Sequence, residues 1–377
     1  MDLGLSDKYD DFRQEVREFV DDEICPNAKK YDREQVIPRE LIDKLISKGY
    51  LSAMVPKRYD GPELDNICIA ILNEEIGRGC SSTRSLLTVH GMCALGILRW
   101  GSNDLKDKYV YDLARGKKIG AFALTEPEVG SNANAINTTA ELSGDYYILN
   151  GEKKWITMAQ IADIFILFAK CEGVPTAFIV DRNTEGMEIE PINDLLGCRA
   201  SMIASIKLNN CKIPKENLVG KIGTGLSHVA LTCLDFGRFT VGCGCVGIAQ
   251  ACLEESIEYA KNREQFSSYL KDNQLIQKMI TEMVVKIKSA RLLCYNAAIL
   301  KDNLEPDSIM ETWNAKYFAS SIATQIALDA VQIHGGNGVS PDYNVERYYR
   351  DAKINEIIEG TSQIHEVLIA KHVYKTY

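Results

Sequence analysis

Residues Tyr146-Tyr147-Ile148-Leu149-Asn150-Gly151-Glu152-Lys153-Lys154-Trp155-Ile156 decide how the chain is organised. Aromatic and β-branched residues flank an Asn-Gly pair, the strongest short-range hairpin signal, so two strands joined at Asn150-Gly151 are expected. Further strand-like runs follow at 164–169, 176–180, 187–189 and 203–208, separated by turn residues. Strands confined between two helical stretches predict a small β domain that forms its own layer.

Upstream the period is helical. Tyr9, Phe12, Val16, Phe19 and Val20 recur at three- and four-residue steps, as do Leu41, Ile42, Leu45 and Ile46. Downstream, four long helical stretches are expected at 226–261, 273–300, 306–333 and 344–358, with a short final helix from Thr361-Ser362. Long helices with short joints predict an antiparallel bundle. The chain therefore divides into a helical domain at 1–118, a β domain at 119–225 and a helical bundle at 226–377. The class is α+β, mostly α.

At 377 residues the chain is too long for one simple core, and 46% hydrophobic with 25% charged residues is an ordinary globular balance. No apolar run is expected to reach the roughly 20 residues that span a bilayer, and Met1 to Lys8 lack a signal peptide's layout. The twelve cysteines are scattered, several inside apolar helical patterns, as small core residues of a reducing cytosol would be. Neither they nor the five histidines fall at metal-ligand spacing. A net charge of −9 argues against a nucleic-acid surface.

Five motifs carry polar chemistry. Glu359, in Ile357-Ile358-Glu359-Gly360-Thr361-Ser362, follows two isoleucines and should sit half-buried at a helix joint. Desolvation there raises a carboxylate's pKa and strengthens it as a base, although spacing alone favours a helix-capping role. Phe122-Ala123-Leu124-Thr125-Glu126-Pro127-Glu128-Val129-Gly130-Ser131-Asn132 offers hydroxyls and exposed amides on an ordered turn, suited to a planar heterocycle or a phosphate, or equally to a plain surface loop. Trp155-Ile156-Thr157 is either core or the flank of an aromatic cofactor. Arg263, with Phe266, Gln274 and Gln277 beyond it, either complements a helix dipole or grips a pyrophosphate through forked hydrogen bonds. Gln332-Ile333-His334-Gly335-Gly336-Asn337-Gly338 is a helix C-cap or a close approach to a phosphate. A helix precedes these glycines, which disfavours a nicotinamide-binding turn.

In order and spacing, these motifs resemble the acyl-CoA dehydrogenase flavoprotein family over essentially the whole chain. Leu196-Gly197-Cys198-Arg199-Ala200-Ser201 and Leu234-Asp235-Phe236-Gly237-Arg238 add to the match. The resemblance implies an N-terminal helical domain, a middle β-barrel and a C-terminal four-helix bundle, with FAD between them. It assigns Phe122, Leu124, Thr125, Gly130, Ser131, Trp155, Ile156, Thr157, Thr361 and Gln363 to the flavin and its phosphates. Arg263, Phe266, Gln274, Gln332, Gly335 and Gly336 join them, several reaching a neighbouring subunit's FAD in a homotetramer. Ser131, Asp235, Gly237, Arg238 and Gly360 would meet the acyl thioester.

The same resemblance makes Glu359 the base that removes the proton α to a thioester carbonyl, while the flavin takes a hydride from the β-carbon. Some family members carry the base at the position of Gly237, where this chain has no rival carboxylate. Two positions depart from the family pattern: Asn132 stands for the usual aspartate, and Met158 follows Trp-Ile-Thr.

Three segments look like the acyl-carrier-protein dehydrogenases of polyketide extender-unit biosynthesis, which make hydroxymalonyl, methoxymalonyl or aminomalonyl units. They are residues 84–92, beginning Arg84-Ser85-Leu86-Leu87-Thr88, residues 237–247, and residues 350–359. The expected substrate is then a small polar acyl group on a carrier protein, handled in the cytoplasm without membrane or nucleic acid. Electrons would pass to an electron-transfer flavoprotein or to oxygen. The alternatives are a short-chain acyl-CoA dehydrogenase and a non-catalytic flavin-binding scaffold.

Overall fold

A computed structural model describes residues 7–376; Met1 to Ser6, part of the segment read for a leader, and Tyr377 lie outside it. The first block contains helices α1 (Asp7–Phe19), α2 (Ala28–Glu34), α3 (Arg39–Ser47), α4 (Asn66–Gly79), α5 (Ser81–Trp100) and α6 (Asn103–Ala114). Side-chain caps start two of them: Asp65 accepts from Cys68 N–H at 2.8 Å, and Ser102 from Leu105 N–H at 3.2 Å. Helices α4 and α5 are buried over nearly their whole length, so they form the interior layer of this block.

The middle block has strands β1 (Gly120–Ala123), β2 (Thr139–Ser143), β3 (Tyr146–Ile156), β4 (Ile164–Cys171), β5 (Val174–Asp181), β6 (Met187–Pro191), β7 (Ala204–Pro214) and β8 (Leu218–Val219). They pair in the order β6-β7-β3-β2-β4-β5-β8, with β1 parallel to β4. The expected hairpin at Asn150-Gly151 is not there. Residues 146–156 are one strand, and the turn lies earlier, where Ser143 pairs with Tyr146 across Gly144-Asp145. Asn150-Gly151 marks a bulge against β7 instead. Gly151 is required there because a Cβ would fall 2.7 Å from Thr138 Cα.

The third block holds α7 (Leu231–Asn262), the short hairpin β9 (Glu264–Gln265) and β10 (Ser268–Tyr269), then α8 (Gln274–Asp302), α9 (Ser308–His334), α10 (Val345–Ile357) and α11 (Ser362–Thr376). The last helix runs 15 residues, longer than its sequence suggested. One expectation is corrected here: the continuous helical stretch Gly225–Asn262 is long and apolar enough to cross a membrane. Most of it is buried inside the protein, because α7 is the central helix against which α4, α5, α8 and α9 pack. Its small residues let α4 approach closely; a Cβ on Gly247 would lie 2.6 Å from the backbone N of Arg78.

Candidate active site

Helix α10 ends at Ile357, Ile358 is extended, and Glu359 and Gly360 turn through left-handed backbone at φ 56° and 96° before α11 begins. A non-glycine residue holds that conformation only when its surroundings fix it. Three helices do so. From α7, Arg238 Nε donates to Glu359 O at 3.1 Å. From α11, His365 Nε2 meets the same carbonyl at 3.3 Å, so the proton sits on Nε2. From α9, Lys316 Nζ donates to Gly360 O at 2.7 Å. Thr361 Oγ1 caps α11 by accepting from Ile364 N–H at 3.3 Å.

The joint aims the Glu359 side chain at α7, onto Gly237. The residue is half-buried, yet its Oε2 is sealed from solvent and has no hydrogen-bond partner among the described residues. Burial pushes its pKa up to about 7 against the opposing pull of Arg238, Lys316 and Arg84. None of those cations lies within ion-pairing distance of it. The other buried carboxylates, Glu74, Glu75, Glu126 and Asp351, each meet a cation within 4.0 Å. Glu359 is thus an orphaned, proton-hungry carboxylate in a fixed pose.

Its surroundings are polar. Arg238 lies 4.9 Å from the Trp313 ring, which also stacks on His365. Burial, helped by Lys316 and Arg238, lowers the His365 pKa to about 4 and keeps it neutral. Lys316 is fully buried, which lowers its pKa to about 8. Beneath Gly237, Thr240 Oγ1 bonds to Gly237 O at 3.0 Å and to Thr88 Oγ1 at 2.9 Å; Thr88 accepts from Arg84 at 3.0 Å. Asp235 pairs with Lys301, leaving its other carboxylate oxygen buried and unpartnered among the described residues.

The expected flavin residues fall into two groups. One forms a connected ledge on the β domain. Lys154 N–H donates to Thr125 O at 2.9 Å, and Lys153 Nζ reaches Leu124 O at 3.1 Å and Glu126 at 2.7 Å. Glu126 also accepts from the Thr138 hydroxyl at 2.6 Å, so one buried ion pair rivets the 124–126 loop to β3. Above it Trp155 is 48% exposed with φ 62°, beside half-buried Phe122, Thr125 and Thr157. Gly130 and Ser131 are exposed; Ile156 points into the β core, and its carbonyl accepts from Ala159 N–H at 3.3 Å. An exposed tryptophan on a rigid polar ledge fits a planar aromatic cofactor.

The other group is exposed at the far end of the bundle. Arg263 and Phe266 belong to the β9–β10 hairpin region, Phe266 fully exposed at its tip, with Gln274 starting α8. Gln332, Gly335 and Gly336 close α9, and the Tyr259 hydroxyl donates to His334 O at 3.3 Å, joining the two ends. Among the described residues, nothing beyond the chain neighbours lies within 4 Å of where a Cβ on Gly335 or Gly336 would project. Gln363 is exposed on α11.

Motif reading missed Lys316, Thr240, Trp313 and His365. Lys316 had a signal: a lone charge on the small-residue face shared with Ala315, Ala319 and Ala323. The Leu196–Ser201 motif proves to be a strut, since Cys198 N–H donates to Asp351 at 2.6 Å and fixes the β domain to α10.

Three family models cover the chain: the acyl-CoA dehydrogenase N-terminal domain at 6–117, middle domain at 121–211 and C-terminal domain at 223–374. The chain is 40% identical to the rat mitochondrial short-chain specific acyl-CoA dehydrogenase, over 100% of its own length and 92% of that protein. Among solved structures, butyryl-CoA dehydrogenase from Megasphaera elsdenii superposes with TM-score 0.95 at 34% identity, covering 99% of this chain and 100% of that one. A prolyl acyl carrier protein oxidase superposes with TM-score 0.93 at 31% identity, covering 98% of each chain.

Proposed function

The chain belongs to the acyl-CoA dehydrogenase family of FAD-dependent oxidoreductases, and we propose that Glu359 is its catalytic base, acting on a short acyl thioester. The observation that carries this reading is the orphaned Glu359 oxygen over Gly237: the joint presents a carboxylate with high proton affinity and no ion-pair partner among the described residues. FAD, when bound, accepts the hydride that leaves the β-carbon. The ledge of Leu124, Thr125, Trp155 and Thr157 would hold its ring system, and Arg263, Phe266, Gln274 and the Gln332–Gly336 turn would serve a neighbouring copy in a homotetramer.

Glu359 removes the α-proton of the thioester. Arg238, His365 and Lys316 fix the two carbonyls of the joint, so its backbone keeps one pose while the carboxylate gains the proton. The Glu359 N–H would bind the thioester carbonyl oxygen and stabilise charge that grows there as the proton leaves. A flavin-binding scaffold has no use for such a carboxylate.

The acyl group is small, polar and carried on the phosphopantetheine of a carrier protein. The likeness to the prolyl acyl carrier protein oxidase and the hydroxyls of Thr88 and Thr240 beneath Gly237 support this reading. A second reading, a short-chain acyl-CoA dehydrogenase, is favoured by the 40% identity to the rat enzyme. Anaerobic bleaching of the bound flavin separates them. Fast bleaching by seryl- or glyceryl-type carrier proteins and slow bleaching by butyryl-CoA supports the first; rapid bleaching by butyryl-CoA alone supports the second.

A further inference from the structure

A cleft of about 230 Å³ opens where the three blocks of the protein meet. Lys29 and Arg33 line it from α2, Arg199 from the β domain, and Arg347 and Arg350 from α10, while Asp32 and Glu346 are the carboxylates on its walls. Five cations thus face two carboxylates, in a chain whose net charge is −9. Both carboxylates are spent on one of the five. Arg350 donates to Asp32 at 2.8 and 3.2 Å and to Glu346 at 2.7 and 3.0 Å, and its remaining N–H goes to Leu196 O at 3.2 Å. Every guanidinium donor and all four carboxylate oxygens are then used.

The other four cations stay largely uncompensated. Among the described residues, Lys29 bonds only to the Asp342 carbonyl, Arg199 only to the Leu195 carbonyl at 2.7 Å, and Arg33 to nothing. Arg347 is the sharpest case. It is 3% exposed, its two terminal nitrogens share the single carbonyl of Gly79 at 3.4 Å, and its Nε has no acceptor among the described residues. Its one carboxylate within 4.0 Å, Asp351, stands at 3.9 Å and also accepts from Cys198 N–H. A buried N–H group without an acceptor is rare and costly, so it points to a partner bound from outside the chain.

The partner this geometry lacks is a compact oxyanion. A carboxylate brings one charge and two oxygens, whereas a phosphate brings roughly two charges and three strong acceptor oxygens, enough for cations arriving from separate elements. The cleft is smaller than the roughly 300–1,000 Å³ of pockets that enclose drug-sized ligands, so it takes the phosphate and leaves any organic remainder outside.

We propose that Lys29, Arg33, Arg199 and Arg347 form a phosphate-binding site that ties α2 and the β domain to α10, the helix whose C-terminal end leads into Glu359. None of these residues belongs to the thioester or flavin sets, and the site stands independently of the dehydrogenase reading.

Isothermal titration of the purified FAD-loaded protein in phosphate-free buffer tests it, with phosphate, diphosphate and adenosine monophosphate as titrants and chloride at matched ionic strength as the blank. Loading with FAD keeps the titrants from reporting on the flavin residues. Saturable binding of at least one titrant is expected, with a thermal midpoint that climbs with its concentration and an affinity that falls as salt is added. Tighter binding of adenosine monophosphate than of phosphate assigns the site to a phosphomonoester; the reverse assigns it to the free anion. Arg347→Gln removes a charge-assisted bond and should weaken binding by about 10-fold or more. Arg33→Glu, on an exposed side chain, should do the same without touching the core, and it decides alone if Arg347→Gln fails to fold. No saturable binding by any titrant, or binding unmoved by these substitutions, overturns the site.

Discussion

A Cβ on Gly237 would lie 2.6 Å from Cδ of Glu359, so the glycine on α7 and the carboxylate at the α10–α11 joint share one volume. Gly237→Ala should therefore displace the carboxylate without harming the helix, since alanine is the better helix former by about 1 kcal/mol. The expected outcome is a fall in flavin reduction rate with unchanged far-ultraviolet dichroism and thermal midpoint, read on the same preparation.

Glu359→Gln keeps the shape and removes the base. Flavin reduction should drop by about 10²–10⁴-fold or more, with FAD still bound. Stability should move the other way. The folded pKa of about 7 lies above the ordinary 4.5, so between these values the folded protein holds a proton that the unfolded chain has lost, and stability falls as pH rises through that window. Glutamine has no such slope. Melting the two proteins at pH 5 and pH 8 should show the variant relatively more stable at the higher pH.

The rate of reduction should rise with pH through about 7, as Glu359 ionises. The groups facing it are Arg84 from α5, Arg238 from α7, Lys316 from α9 and His365 from α11, the last neutral in this range. Lys316→Met removes one cation that favours the ionised form. The rising limb should move to higher pH, which stopped-flow bleaching across pH 5 to 9 will measure; an unmoved limb would mean that Lys316 serves packing only.

Glu126→Gln strands Lys153, whose side chain is fully buried. Loss of one partner of a buried pair costs roughly 3–5 kcal/mol, and the Leu124–Thr125 ledge loses its rivet to β3. Weaker FAD retention on gel filtration and a lower denaturant midpoint are expected together. Replacing both partners, Glu126→Gln with Lys153→Met, should recover part of the stability.

The helical blocks were legible because apolar residues at three- and four-residue steps report burial directly, and their ends fell within a few residues of the observed ones. The Asn150-Gly151 turn was misread because the pair signals positive φ, which a bulge uses as readily as a hairpin; only the partner strand β7 distinguishes them. Strand β1 carries no sequence signal, since four residues of Gly-Ala-Phe-Ala show little alternation, and its last two residues open the Phe122–Asn132 motif. Glu359, Gly237 and Arg238 were found through motif order. Lys316 and His365 escaped because their importance lies in contacts with Glu359 and Gly360 that span up to 44 positions of sequence.

The turn that carries Glu359 is latched from α7, α9 and α11 at once, through Arg238, Lys316 and His365. Its coordinates are thus an average of three helix positions, and any slippage between those helices is transmitted to the carboxylate. Registry of the bundle sets the tolerance of the chemistry. Damage at a distance, such as a cavity between α9 and α11, should reach the reaction rate well before it reaches the fold.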